Sequence, residues 1–191
     1  MKKQHTHPTS DEIKNELNRI QKKHNYKRNV RNVICVLLVT AGVIVLLSNF
    51  LFPVLHIKGN SMEPTLESGQ IVVALKNTEI NRGDMIAFYY NNQILLKRVV
   101  GLPNERIELY EDGTVAVNGN TLSEPYITEK SFGECNLQFP YKIPDGEYFV
   151  MGDNRETSID SRSDTVGCIS KENIIGKLII CVWPLDRMSV Y

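Results

Sequence analysis

Asn32–Leu55 constrains this chain more than any other stretch. Its 24 successive residues, NVICVLLVTAGVIVLLSNFLFPVL, carry no charge. As an α-helix the run would be about 36 Å long, enough to cross a hydrocarbon core of about 30 Å. Ser48, Asn49 and Pro53 weaken its distal end, which places the span near residues 32–52. A buried core helix is one alternative, but soluble helices seldom run so far without a charge. A cleavable secretory signal is another. Its charged flank is usually short and its apolar run about 7 to 15 residues. Here the flank is 31 residues long and contains acids, and Ser48-Asn49-Phe50 offers no small-x-small site. The run is read as an uncleaved anchor.

Charge divides at the same place. The 22 Lys and Arg balance 22 Asp and Glu over the whole chain, without the excess a basic nucleic-acid binder shows. Residues 1–31 nevertheless hold nine basic and three acidic residues, a net of +6, which leaves −6 for the rest. Lys22, Lys23, Lys27, Arg28 and Arg31 crowd the N-terminal side of the anchor, so the positive-inside rule makes that side cytoplasmic and places residues from 56 onward outside. Within the tail, Thr9 and Glu12 have capping-box spacing, and Ile13, Leu17 and Ile20 follow at helical intervals. The tail is read either as a short amphipathic helix or as a frayed, solvated segment.

The 136 residues from His56 read as β structure. Short apolar runs at 71–75, 85–88, 94–100, 148–151 and 178–182 are rich in Val, Ile, Phe and Tyr and separated by turn residues. Asp112-Gly113 and Asn118-Gly119 flank Thr114-Val115-Ala116-Val117, the signature of tight hairpins. The expected fold is mainly β: one N-terminal transmembrane helix followed by a twisted, partly closed β assembly. The expected divisions are a basic tail over 1–31, an anchor over 32–55 and a β domain over 56–191. Within that domain the turn-rich residues 103–144 form a small inserted lobe. Of the four cysteines, Cys35 falls in the anchor, and Cys135, Cys168 and Cys181 lie where a disulfide is permitted. Three is an odd number, and no Cys-x-x-Cys or zinc spacing occurs, so burial as small apolar side chains is the leading account.

Three stretches carry chemistry. Gly59-Asn60-Ser61-Met62-Glu63-Pro64-Thr65-Leu66 follows the anchor directly, and a serine between a glycine and a proline can sit on a sharp turn. Taken alone, it reads as an ordinary loop serine. Lys97 lies in Ile94-Leu95-Leu96-Lys97-Arg98-Val99-Val100, and strand periodicity puts it on one face with Leu95 and Val99. Desolvation there would lower its pKa and fit it for general-base work; the alternative is a lysine snorkelling at a strand edge. Gly152-Asp153-Asn154-Arg155-Glu156-Thr157-Ser158-Ile159-Asp160-Ser161-Arg162 alternates acids and arginines, a loop able to lock itself by ion pairs. A Ser-His-Asp triad is disfavoured: His5, His7 and His24 fall on the far side of the anchor and only His56 remains.

Together the three stretches resemble bacterial type I signal peptidase, the membrane-bound serine protease with a Ser/Lys dyad. The resemblance runs along nearly the whole chain in the right order: anchor, Ser-Met-x-Pro-Thr-Leu at 61–66, Gly83-Asp84-Met85-Ile86-Ala87-Phe88, Lys97-Arg98-Val99-Val100-Gly101, and Gly-Asp-Asn-Arg-x-x-Ser-x-Asp-Ser-Arg at 152–162. A single anchor and a short insert resemble the Gram-positive members. The resemblance implies Ser61 as nucleophile and Lys97 as general base, with Ser158 hydrogen-bonded to Lys97. It also implies that Asp153, Arg155, Asp160 and Arg162 hold the shape of the site. An oxyanion hole would include the Ser61 amide. Where some relatives add a serine hydroxyl this chain has Gly59, so only backbone could act there.

The implied reaction needs no metal or organic cofactor. Its implied substrates are signal peptides of secreted preproteins, cut at small-x-small sites, and its implied surroundings are the lipid bilayer and the translocation machinery. Exposed apolar residues, Trp183 among them, could dip into lipid, against the alternative of a packed core tryptophan. Two rivals are a self-cleaving Ser/Lys protease, which the anchor argues against, and a membrane-tethered assembly factor with dedicated or no catalytic activity, which intact Ser61 and Lys97 argue against.

Overall fold

The computed structural model describes residues 10–191. The expectations placed on Thr9 and Glu12, on the packing of Ile13 and Ile20, and on His5 and His7 lie outside the described residues and side chains. Two compact units divide the chain, one ending at Ser48 and the other spanning Asn49–Tyr191. Among the described residues one α-helix, α1, runs Ser10–Leu51 without a break, so residues 10–31 form no separate short helix. Leu17–Leu46 is long and apolar enough to cross a membrane, with a mean hydropathy of 2.1 over its most apolar window. The helix stops two residues before Pro53, whose ring cannot continue it. Val54 and Leu55, counted above with the anchor, instead open the first strand.

The second unit is built on twelve strands: β1 (Val54–His56), β2 (Ile71–Leu75), β3 (Met85–Tyr90), β4 (Gln93–Gly101), β5 (Arg106–Leu109), β6 (Val115–Val117), β7 (Asn120–Thr121), β8 (Tyr141–Lys142), β9 (Glu147–Met151), β10 (Ile169–Ser170), β11 (Ile174–Trp183) and β12 (Ser189–Val190). The larger sheet has the order β1-β2-β11-β3-β4-β9-β10, with β12 on β11. Its pairing is a linear path ending at β1 and β10, so hydrogen bonding does not carry the expected partial closure. A second sheet, ordered β7-β6-β5-β8, is built from strands between Arg106 and Lys142.

The hairpins follow from local chemistry. Asn91 and Asn92 both take positive φ, 44° and 60°, and close β3 onto β4 with Tyr90 opposite Gln93. That two-residue loop sets the β4 register and puts Lys97 opposite Ile86. Asn118 and Gly119 turn the same way between β6 and β7, as their sequence predicts. Three apolar clusters form the core. Ile57, Met62, Leu66, Val72 and Leu178 pack under the serine turn; Ile86, Phe88, Val99 and Val150 form the sheet centre; Ile107, Val115, Ile143 and Phe149 fill the insert.

Trp183 is 52% exposed and so is not a core residue; Leu185, Met188 and Val190 nearby in sequence are exposed as well. Cys135, Cys168 and Cys181 are all free thiols, the last fully buried.

Candidate active site

Ser61 sits in a turn closed by Glu63 N–H donating to Asn60 O at 3.1 Å and Leu66 N–H donating to Met62 O at 2.9 Å. Met62 and Leu66 anchor the turn in the core, at 3% and 0% exposure, and leave Ser61 half-buried at the surface. Gly59 has φ +89°, a left-handed conformation that favours glycine, and it is exposed. No side chain is available there, so only its backbone can act.

Lys97 reaches the same place from β4. It is 3% exposed, and its amine makes no hydrogen bond or ion pair among the described residues. Burial lowers its pKa from 10.5 to about 8; Asp160 and Asp153 oppose the shift, while Arg162 adds to it. Lys97 is buried as strand spacing allowed, but burial along β4 does not alternate: Leu95 and Leu96 are both half-buried and Lys97–Gly101 are all buried.

Ser61 and Lys97 line one groove of about 290 Å³, walled by Val54–Gly59 and Met62 on one side and Ile94–Leu96 on the other. β1 pairs with β2 alone, and Gln93–Lys97 of β4 pairs with β3 alone, since β9 joins β4 only at Arg98 and beyond. Two strand segments bordering the groove thus keep an unpaired edge, and an extended peptide can dock on such edges through main-chain hydrogen bonds. His56 also lines the groove, but its ring has no hydrogen bond or ion pair among the described residues. It lacks the carboxylate that orients a triad histidine.

The Gly152–Arg162 loop holds this arrangement by buried ion pairs. Arg162 grips Asp160 with Nε to Oδ1 at 2.8 Å and Nη2 to Oδ2 at 2.9 Å, and the backbone N–H groups of Arg162 and Gly152 donate to Oδ1 at 3.3 Å and Oδ2 at 2.9 Å. Asp153 is paired not with Arg155 but with Arg98, through Nε to Oδ1 at 2.8 Å and Nη2 to Oδ2 at 2.6 Å. Thr65 Oγ1 donates to Asp153 Oδ2 at 2.5 Å, and Asn154 N–H donates to Ser61 O at 3.1 Å. Arg155 pairs with Glu124 of the insert. Arg98, Thr65 and Glu124 were not singled out from the sequence. Arg98 had a signal, its place beside Lys97; Glu124 had none, being 31 residues from its partner.

Ser158 is buried beside Gly152, yet its hydroxyl has no hydrogen-bond partner. The expected bond from Ser158 to Lys97 is therefore absent. The hydroxyl lies instead in the space a side chain at Gly152 would fill.

A half-buried serine and a buried lysine of lowered pKa on one peptide-wide groove can carry out nucleophilic hydrolysis of a peptide bond. Residues 30–183 match the family described as signal peptidase, peptidase S26. The chain belongs to that family. Signal peptidase I of Bacillus licheniformis is 31% identical over 181 residues, covering 88% of this chain and 96% of that relative. Signal peptidase IB of Staphylococcus aureus is 33% identical over 183 residues, covering 85% and 94%. A solved signal peptidase I from Enterococcus faecalis is 33% identical with a TM-score of 0.45, covering 53% of this chain and 97% of that one.

Proposed function

We propose that this chain removes signal peptides from membrane-associated preproteins with Ser61 as nucleophile and Lys97 as general base. The observation that carries the reading is the burial of Lys97 on the groove that Ser61 lines. Family membership supports the substrate class and the reaction. The neutral amine of Lys97 takes the Ser61 proton as the hydroxyl oxygen attacks the scissile carbonyl. The resulting ammonium protonates the leaving amine of the mature chain, and Lys97, neutral again, activates the water that hydrolyses the acyl-enzyme. The Ser61 amide and the Gly59 backbone are the nearest main-chain candidates for stabilising the oxyanion. Asp153, Arg155, Asp160 and Arg162 fix the loop behind the dyad, and the unpaired Ser158 hydroxyl oxygen can accept a Lys97 N–H after a rotamer change.

Apolar walls from Ile57, Met62, Leu95 and Leu96 suit small uncharged side chains beside the cut. The division proposed for the chain is a cytoplasmic basic tail over 1–31, a membrane anchor, and an extracytoplasmic catalytic unit with an insert over 103–144. The basic residues at 19–31 support that orientation. Exposed Trp183, Leu185 and Met188 suit contact with lipid, and the translocation machinery is a natural neighbour of such an enzyme.

The test is cleavage of a preprotein bearing an Ala-x-Ala site by the detergent-solubilised chain, with the cut located by mass spectrometry. Wild type is expected to cut after the second alanine, and Ser61→Ala and Lys97→Ala to lose at least roughly 1,000-fold in rate. A cut that survives Ser61→Ala would mean another nucleophile; a folded wild type that never cuts would favour the assembly-factor reading.

The pH dependence is a second test. A general base must be unprotonated, so kcat/KM is expected to rise with pH and level off near the Lys97 value of about 8. A profile that shows no ionisation in the neutral to mildly alkaline range would remove Lys97 from the role.

A further inference from the structure

One carboxylate, Glu124, ties residues 103–144 to the arginine of the 152–155 turn. Glu124 accepts from both terminal nitrogens of Arg155, Nη1 at 3.2 Å and Nη2 closer still, and from the Tyr126 hydroxyl at 2.9 Å. The Glu124 and Arg155 side chains are 2% and 1% exposed, so neither can turn to water without leaving its place. Arg155 Nε donates in turn to Gly152 O at 3.0 Å. Asn154, next to Arg155 in the turn, donates its N–H to Ser61 O. The Tyr126 ring also covers the Arg98 guanidinium at 4.1 Å, and Arg98 holds Asp153. Burial, with Glu124 beside it, raises the Tyr126 pKa and keeps the phenol a donor. Residues 124 and 126 thus hold both arginines that brace the 152–155 turn.

We propose that Glu124 is a positioning residue for Ser61, acting through Arg155 and the backbone of Gly152 and Asn154. This rests on the reading of Ser61 as the nucleophile. Without the carboxylate the Arg155 guanidinium is left buried and unpaired, a costly state that it relieves by leaving the turn or admitting water. Gly152 O then loses its donor, and the Asn154 N–H that fixes the Ser61 carbonyl shifts with it. The groove that binds peptide contains neither Glu124 nor Arg155. The defect therefore falls on kcat and not on KM. It also leaves the alkaline ionisation in place, because the charges acting on Lys97 are Asp160, Arg162 and Asp153.

The experiment compares Glu124→Gln, Glu124→Asp and Ser61→Ala in the full-length solubilised chain, with steady-state cleavage and amide hydrogen exchange at Asn154 as readouts. Glu124→Gln, similar in shape but uncharged, is expected to lose roughly 30- to 100-fold in kcat with KM within about twofold of wild type. Its Asn154 amide is expected to exchange at least roughly tenfold faster. Glu124→Asp, which keeps the charge, is expected to recover most of both. Wild-type kcat in Glu124→Gln, a rise in KM that accounts for the loss, or unchanged exchange at Asn154 would each overturn the proposal while leaving the Ser61 reading intact. Cleavage that survives Ser61→Ala would overturn both. Should Glu124→Gln fail to fold, Tyr126→Phe decides: it removes only the hydroxyl donated to Glu124. A severalfold fall in kcat at constant KM supports the positioning role, and wild-type kcat overturns it.

Discussion

Lys97→Met is expected to abolish cleavage and, at neutral pH, to make the Asn49–Tyr191 unit more stable. The two effects have one cause. Burial holds the Lys97 amine at a pKa of about 8, against an ordinary value of 10.5. The lowered value means that folding works against the proton. Below about pH 8 the folded chain carries a buried ammonium at full cost. Between about 8 and 10.5 the folded state has released the proton that the unfolded state still binds, so stability rises with pH across that window. Above it the cost is gone. At about 1.4 kcal/mol per factor of ten, the whole difference is about 3 kcal/mol. Methionine has a similar length and no charge, so most of this should appear as added stability near pH 7, a rise in Tm of roughly 10 °C. Thermal unfolding followed by circular dichroism at pH 7 and again near the ordinary lysine pKa checks it. The gain should shrink at the higher pH. Equal shifts at both pH values, or a less stable variant at pH 7, would show that Lys97 does not carry this cost.

Gly152→Ala is expected to damage both folding and catalysis. An added Cβ would lie 2.3 Å from Ser158 Oγ and 2.4 Å from Ser61 O. The first neighbour can rotate away. The second is main chain, fixed by the turn that Met62 and Leu66 anchor and by Asn154 N–H. Relief therefore requires movement of Ser61 or of the whole 152–155 turn, which is tied down by three buried arginine–carboxylate pairs. Overpacking of this kind costs about 1–3 kcal/mol, and a displacement of about 1 Å at a reacting group costs roughly 100-fold in rate. The expected outcome is a Tm lowered by several degrees and kcat reduced at least roughly 100-fold, measured on the same preparation. Wild-type kcat in a stably folded Gly152→Ala chain would mean that the approach of Gly152 to Ser61 has no part in catalysis.

Much of the fold was legible because its signals are local. A charge-free run of 24 residues signals a long apolar helix, and α1 takes in its residues 32–51. Asn118-Gly119 turns a hairpin because both residues tolerate positive φ. Strand spacing offered a buried Lys97 and an edge lysine as alternatives, and its 3% exposure decides for the first. The end of the anchor was less legible: Val54 and Leu55 are as apolar as the helix before them, and only their pairing with Val73 and Val72 makes them strand. The pairing of the acidic and basic residues at 152–162 was likewise hidden. Alternating charges in one loop suggest partners within it, and Asp160 with Arg162 obeys. Asp153 and Arg155 each find a partner from elsewhere, Arg98 and Glu124.

Residue types and their spacing by themselves determined the apolar N-terminal helix and the β character of the rest, and motif order, through its resemblance to a known family, pointed to one serine and one lysine. Those properties come from periodicity, side-chain chemistry and motif order, all of which are written along the chain. Only the tertiary structure decided that Ser61 and Lys97 share one groove, that Ser158 leaves its hydroxyl unpaired, and that Glu124 pairs with Arg155. Each of these depends on strand order and on buried charges choosing the nearest opposite charge in space. Low dielectric makes that choice strong, and nothing in the order of residues along the chain reveals it.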